Sequence, residues 1–361
     1  MTALRQNKGG GNVKNYSWIV LLSLVLVLPS CASKRQPPLS AECPDVSKTG
    51  QLNVLTLNTL FDAPAAVREK SWTDIAQFAV ANNVHALLLQ EAVLTDVDRL
   101  QKLLGTSDSA RDLQRVLNQH SPEPYDLRVA WETGVPLVLT TANAILSRCS
   151  ITRHFSTFLP LESEMVFQGV QLKITRNVQV TYLDIPGYGS LHLYNTHLCS
   201  ACSVEGLRQQ VEALLGFSQS VEGKVRGNHV VLSGDLNLDL SKGVAEQAIY
   251  ETITRAGFRD VYAEYRKTTF GDALETLCWN GVPDVHCTDG VSPVQGVIDR
   301  RTGAGFSRPT RIDYLFLHGA DTVKLSQVVF DPGNTATGPI HSSEPAVSDH
   351  SAVFTQITLT H

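Results

Sequence analysis

The 361-residue chain lacks the signatures of several common enzyme classes. It has no Gly-x-Ser-x-Gly nucleophile elbow, no Walker phosphate loop and no dinucleotide-binding glycine fingerprint. No period of 20–50 residues repeats and no long low-complexity tract appears, which excludes solenoid and fibrous architectures. Its single Cys-x-x-Cys has no second copy to complete a four-cysteine metal site. Basic charge is not in excess, with 30 Lys and Arg against 35 Asp and Glu. Such a surface does not by itself draw in polyanions. What is present is 43% hydrophobic and 18% charged residues, the balance of a globular protein with a large core.

The N-terminus reads as a targeting segment. Residues 1–15 carry Arg5, Lys8 and Lys14 with no acid, and IVLLSLVLVL (19–28) is apolar apart from Ser23. A basic stretch before about ten apolar residues is a secretory signal, too short to span a bilayer. It ends in Leu28-Pro29-Ser30-Cys31, which resembles the bacterial lipobox, with Pro29 a departure. Cys31 is therefore expected to be lipidated and to become the new N-terminus. Ala32 carries no retention signal of the aspartate type, so the expected address is the outer membrane, with simple secretion as the alternative. Removing residues 1–31 removes three cations and no acid, and shifts the formal net charge from −5 to −8.

Six cysteines then remain: Cys43, Cys149, Cys199, Cys202, Cys278 and Cys287. An even number in an exported chain favours disulfides. Cys278 and Cys287 would close a short loop, and Cys199 with Cys202 is expected to form a structural bridge in preference to a redox centre.

Periodicity divides the remainder into a tether and a domain. Residues 32–50 mix Pro, Ser and charge without periodicity and read as a flexible tether, leaving 51–361 as the domain. Alternating β-formers mark strands at 52–60 and 84–91, then LRVAW, AILSR, VQLKIT, VQVTYLDI and LHLYNTHL, HVVLSG, and finally 311–317, 323–330 and 351–359. Helical periodicity covers 67–82, 94–104, 110–119, 205–219 and 242–257. Residues 265–309 have little periodicity and read as an ordered loop beside the substrate. Helices interspersed with strands in both halves predict a layered α/β domain of mixed sheets.

The chemistry is read from polar residues at the ends of apolar strands. LTLN ends in Asn58, LLLQE in Glu91, LYNTHL delivers Asn195 and His197, and LSGDLN delivers Asp235 and Asn237. RIDYLF carries Asp313, and SDH places Asp349 and His350 just before the last strand. If the chain stays extended through 235–237, Asp235 and Asn237 share a face. Singly, each has a structural explanation as a cap, a turn residue or a satisfied core group. Together they are costly to bury unless they serve one site. Glu91 with Asn58 suits a hard divalent cation, which takes oxygen ligands and keeps several waters. Two Asp/His pairings would neutralise a phosphoryl group and orient a water nucleophile.

In order and spacing, LTLN, LLLQE, ANAILSR, YNTHL, SGDLN, RIDYLF and SDH resemble the motifs of the endonuclease/exonuclease/phosphatase superfamily, with the DNase-I-like fold, over about residues 52–359. The resemblance implies a four-layer α/β/β/α sandwich of two mixed sheets flanked by helices. It implies Mg²⁺, with Mn²⁺ or Ca²⁺ as substitutes, held by Glu91 and Asn58 with Asp349 in reach. Asp235 would activate water, Asn237 hold a phosphate oxygen, and His350 contact the phosphoryl group under the orientation of Asp313. His197 would stabilise the transition state or protonate the leaving group, and Asn143 and Asn195 would brace the site. Within the superfamily, Leu238-Asp239 after GDLN departs from the inositol 5-phosphatases, whereas FQGVQLKIT resembles a sphingomyelinase segment, Gln168 departing from its usual lysine. The expected activity is that of a monomeric exported phosphodiesterase acting on a membrane phospholipid such as sphingomyelin. A secreted or periplasmic DNase-I-like nuclease and a non-catalytic binding module on the same scaffold are the alternatives.

Overall fold

Two pairs of parallel strands, each buried on both faces, organise the structure, a computed structural model. It describes residues 43–59, 65–94, 108–135, 139–167, 170–200, 202–270, 311–330, 348, 350 and 352–361. In the first pair, β1 (Gln51–Asn58) lies parallel to β2 (Ala86–Leu94). In the second, β7 (Gly189–His197) lies parallel to β8 (His229–Asp235). Near-continuous apolar sequence is what a strand covered on both faces requires.

Antiparallel strands extend both pairs. The first sheet adds β3 (Asp126–Val135), β4 (Leu139–Ser147), β11 (Thr322–Val329) and β12 (Ala352–Thr358), in the order β11-β12-β1-β2-β4-β3. The second adds β5 (Ile151–Phe167), β6 (Val170–Ile185), β9 (Phe258–Asp260) and β10 (Asp313–His318), in the order β5-β6-β7-β8-β10-β9. Each sheet thus has one parallel step at its centre and two antiparallel steps on either side.

Helices α2 (Ala65–Ala81) and α3 (Ser109–His120) cover the outer face of the first sheet, where Trp72, Ile75, Leu113 and Leu117 pack on Leu55, Leu87 and Leu146. Helices α4 (Val204–Glu222) and α5 (Val244–Arg255) cover the second, where Val211, Leu214 and Ile253 meet Val180, Leu232 and Phe316. The third core lies between the sheets and includes Leu52, Val54, Leu88, Leu191, Leu193, Val231, Leu315 and Leu317. The four-layer sandwich is the expected one. Among the described residues no helix is long and apolar enough to cross a membrane.

Along the inward faces the core changes character with a period of two. Leu52 and Val54 give way to Thr56 and Asn58, Leu191 and Leu193 to Asn195 and His197, and Val231 to Ser233 and Asp235. One end of the inter-sheet space is therefore apolar and the other polar. Across the boundary, Asn195 Oδ1 accepts from Gln90 Nε2 at 2.7 Å, and Asn195 Nδ2 donates to the carbonyls of Leu89 and Ala144 at 2.9 and 3.0 Å. These bonds run from β7 in one sheet to β2 and β4 in the other.

Three expectations are corrected. Residues 43–50, read as part of the tether, are folded: α1 (Pro44–Thr49) ends at Gly50 in the left-handed conformation, and a disulfide ties Cys43 to Cys149. Burial of Cys43 and Val46 against the inter-sheet core outweighs the polar composition that suggested a tether. VQLKIT and VQVTYLDI are one strand, β6, whose long partner β5 carries Pro160 and exposed side chains and so gives little alternation. The aperiodic segment begins later than residue 265, because α6 spans Val261–Phe270. The 94–104 helix and the segment beyond residue 270 lie outside the described residues.

The Cys43–Cys149 bridge closes a separation of 106 residues, so its entropic effect on the unfolded chain is near the upper end of the range. Replacing both cysteines by alanine should lower unfolding stability by roughly 3–5 kcal/mol in a denaturant titration. A loss under about 1 kcal/mol would mean that the bridge does little for the fold. Asn195→Leu should cost about 2–4 kcal/mol, since it removes three buried hydrogen bonds at once; an unchanged melting temperature would refute the bridging role.

Candidate functional site

The polar end of the sandwich is where the parallel strands finish. β1 ends with Asn58, β2 runs through Glu91, β7 ends with His197 and β8 with Asp235. Antiparallel neighbours begin at the same edge: Asp313, the first residue of β10, is in register with Asp235, and His350 precedes β12. Topology alone thus draws residues that are hundreds of positions apart onto one crevice, the place where open α/β sheets bind ligands.

Asp235 is at its centre. Its Oδ2 accepts from Asn58 Nδ2 at 3.0 Å and faces His197 Nε2 at 3.4 Å and His350 Nε2 at 3.9 Å. Its Oδ1 accepts the backbone N–H of Asn237 at 2.9 Å. His350 Nδ1 lies 2.8 Å from Asp313 Oδ2, the expected pairing. Ser348 Oγ donates to the Asn58 carbonyl at 2.7 Å and accepts from the His350 N–H at 3.2 Å, fastening the lead-in of β12 to the end of β1.

Two local backbone features aim these groups. Gly234 has φ +153°, and a Cβ there would collide with the carbonyl of Thr196, its partner in register on β7. Only glycine lets β8 approach this closely one residue before Asp235. Glu91 has φ +54° within a bulge where the β2–β4 register shifts between Leu89 and Ala92. A left-handed glutamate is held against its own preference, the kind of strain found where side chains are re-aimed at ligands.

The pairing of Asp235 with Asn237 has a different cause from the one expected. β8 ends at Asp235, and Asn237 has φ +50°, so alternation along an extended strand does not align them. An Asx turn does, through the Asn237 N–H, while Asn237 Nδ2 donates to the Leu198 carbonyl at 2.8 Å. Asn195, expected to brace the site, commits its amide to the sheet-bridging bonds described above.

Three residues join the site that the sequence did not single out. Glu132 on β3 is buried and accepts from Asn143 Nδ2 at 3.1 Å and from Arg176 Nη1 at 3.2 Å. Arg176 on β6 reaches His197 Nδ1 at 2.8 Å. Asn177 accepts from Asn143 at 2.9 Å and donates to the carbonyls of Ala130 and Trp131. Asn143 is thus bonded to Glu132 and Asn177. The only sequence signal was a lone charge within each β-forming stretch, AWETG and ITRNVQV.

The electrostatics favour a cation. Burial, then the facing Asp313 carboxylate, pushes Asp235 up to about 7, although His350, Asn58 and the Asn237 N–H favour its ionised form. Burial pushes Glu132 up to about 7 against the pull of Arg176, with the charge of Glu91 adding to the rise. His197 is held well below the ordinary imidazole range by burial, then by Arg176 and His350. Donor atoms of Asp235, Asp313 and His350 lie within 4.8 Å of one another, and among the described residues Asp313 Oδ1 is buried without a hydrogen-bond partner. Crowded carboxylates with oxygen-rich neighbours fit a hard divalent ion. Asn58 ends β1, and Glu91 lies on the adjacent β2. Asp349 lies outside the described residues, as do Cys31, Cys278 and Cys287. The Cys199–Cys202 bridge is formed.

Comparison with known proteins bears on the fold. No family model and no curated protein matches the chain. Among solved structures, an endonuclease/exonuclease/phosphatase family protein from Leptotrichia buccalis C-1013-b superposes with a TM-score of 0.58 at 18% identity, over 85% of this chain and 99% of that one. The endonuclease/exonuclease/phosphatase from Beutenbergia cavernae gives 0.57 at 20% identity, over 86% and 72%. The chain has the endonuclease/exonuclease/phosphatase fold. A mannosyl-6-phosphatase from Bacteroides thetaiotaomicron shares this DNase-I-like fold, with a TM-score of 0.54 at 14% identity over 85% and 99% of the two chains. At such identities the likeness is one of architecture, and the chemistry has to be argued from the site.

The raised Asp235 value gives a signed pH dependence. A buried carboxyl titrating near 7 in the folded state and near 4 in the unfolded state binds more protons when folded between those values. Its contribution is present below the unfolded value and is lost as pH rises toward the folded one. With chelator present, the stability of Asp235→Asn relative to wild type should therefore rise by about 1.4 kcal/mol per pH unit between roughly pH 4 and 7, then level off. Parallel stability–pH curves for the two proteins would exclude a raised Asp235.

Proposed function

We propose that this protein is an exported phosphodiesterase that uses a divalent cation, foremost Mg²⁺, to hydrolyse a phosphoester by attack of water. The observation that carries the reading is the convergence of Asn58, His197 and His350 on one oxygen of Asp235, with Asp313 behind His350. Asp235 is placed to receive a proton from water, and its raised value leaves it basic near neutral pH. His350, held by Asp313, is placed to contact the phosphoryl group, and Asn237 offers a second polar contact at the rim. Glu91 and Asn58, with Asp349, would hold the ion, which when bound supplies charge stabilisation to phosphoryl oxygens. The residues that sequence resemblance marks for this chemistry are all present, which speaks against a silent binding module.

For the substrate we propose a membrane phospholipid headgroup, sphingomyelin being the first to try. The support is the secretory and lipobox-like N-terminus, the formal charge of −8 on the mature chain, and the sphingomyelinase-like FQGVQLKIT segment. A net-acidic enzyme tethered at a membrane meets phosphodiesters of lipid at high local concentration, whereas DNA is repelled.

The test is phosphocholine release from sphingomyelin vesicles by the full chain, with Mg²⁺ and then with chelator. Release that needs Mg²⁺ and falls a hundredfold or more in Asp235→Ala and His350→Ala is expected, by analogy with other preorganised groups (roughly 10²–10³ per group). Undiminished turnover in either variant would sink the assignment of that residue. Cleavage of DNA but not of lipid would replace the substrate with nucleic acid and leave the chemistry standing.

A further inference from the structure

Two histidines approach the same oxygen of Asp235, and their far sides rest on opposite charges. His350 Nδ1 is 2.8 Å from a carboxylate oxygen of Asp313, and an ionised carboxylate only accepts, so Nδ1 carries a proton. His197 Nδ1 is 2.8 Å from Nη1 of Arg176, and a guanidinium only donates, while the Glu132 Oε2 that also faces it is 3.8 Å away, beyond hydrogen-bond reach. His197 Nδ1 must then be an acceptor. The ring's single proton sits on Nε2, which is the atom 3.4 Å from Asp235 Oδ2.

Arg176 is not free to turn aside. Its side chain is 7% exposed, and the same Nη1 donates to Glu132 Oε2 at 3.2 Å, while Glu132 is tied to Asn143. The chain Asn143–Glu132–Arg176–His197 runs from β4 through β3 of one sheet to β6 and β7 of the other. A second proton on His197 would press two cations together in a buried site, where their repulsion is little screened.

We propose that Arg176 is a positioning residue that fixes His197 as the neutral Nε2–H tautomer, so that His197 acts as a hydrogen-bond donor and transfers no proton. Of the two roles the sequence left open for His197, stabiliser or leaving-group acid, this selects the first. A neutral donor aimed at the reacting edge stabilises charge that develops there and needs no ionisation of its own. Proton transfer then falls to Asp235 and the His350–Asp313 pair. The purpose of the donor rests on the phosphoesterase reading; the tautomer does not.

The first measurement is ¹⁵N long-range correlation spectroscopy of the histidine rings in the full chain, with His197→Gln supplying the assignment. A protonated Nε2 and a bare Nδ1 on His197 are expected. Arg176→Met, combined with Glu132→Gln so that no buried charge is stranded, should mix the two tautomers, and Arg176→Lys should restore the wild-type signal. A proton on Nδ1 in the wild type would overturn the proposal. The second measurement compares bis(p-nitrophenyl) phosphate, whose leaving group needs no proton, with diphenyl phosphate, whose leaving group is more basic. A neutral donor predicts that His197→Ala slows both probes by a similar factor and that His197→Gln recovers about tenfold. A loss on diphenyl phosphate a hundredfold greater than on the nitrophenyl ester would make His197 the acid and refute the donor role. If the wild type hydrolyses neither probe, nor sphingomyelin, nor DNA, the phosphoesterase reading fails, and the ring spectra still decide the tautomer.

Discussion

The carboxamide of Asn195 decides how the two halves of this molecule meet. Apolar side chains between sheets supply most of the stabilisation, but they are non-directional and would tolerate sliding. Asn195 is not tolerant: buried at the boundary, it must satisfy its acceptor on Gln90 and its donors on Leu89 and Ala144 at once. Leaving any of these unmade costs the desolvation of a buried polar group. One relative placement of the sheets meets that condition, and it brings Asn58 within 3.0 Å of Asp235 across the interface. The site is a product of sheet registry before it is a product of loops.

Given that registry, strand direction does the rest. Each sheet repeats one plan, a parallel centre flanked by antiparallel steps, so both send their central carboxyl ends to the same edge. The opposite end is closed by apolar packing and covalent or ionic ties. Cys43–Cys149 fastens α1 to the end of β4, and Asp321 joins His229 at the start of β8 to the backbone N–H of Thr360 at the C-terminus. Rigidity is concentrated where no chemistry is expected, and carboxylates that cost stability are concentrated where it is.

The parts of this arrangement legible in the sequence were those that interrupt a pattern. Asn58, Glu91, His197, Asp235 and Asp313 break apolar strands at their ends, and an interruption in a period-two pattern is visible in one dimension. Glu132 and Arg176 were not, because a single charge within a β-forming stretch reads as a solvent-facing position until its partner is known, and the two lie 44 residues apart on different sheets. The Cys43–Cys149 bridge spans 106 residues and leaves no local trace. The Asx turn at Asp235 and Asn237 was misread because the same residue types serve both a strand that continues and one that stops, and only φ separates them.

The charges of the site follow one rule. Asp235 and Asp313 face each other, Glu91 faces Glu132, and Arg176 is the cation bonded within the second pair. With Arg176 committed to Glu132 and His197, the repulsion on the side of Asp235 is not relieved by that guanidinium. Among the described residues, the guanidinium of Arg176 is thus turned to Glu132 and His197 and away from Asp235 and Asp313. Crowded buried carboxylates of that kind lower stability in isolation, and a polar end built this way persists where a fold keeps it for a site, on an otherwise well-packed sandwich.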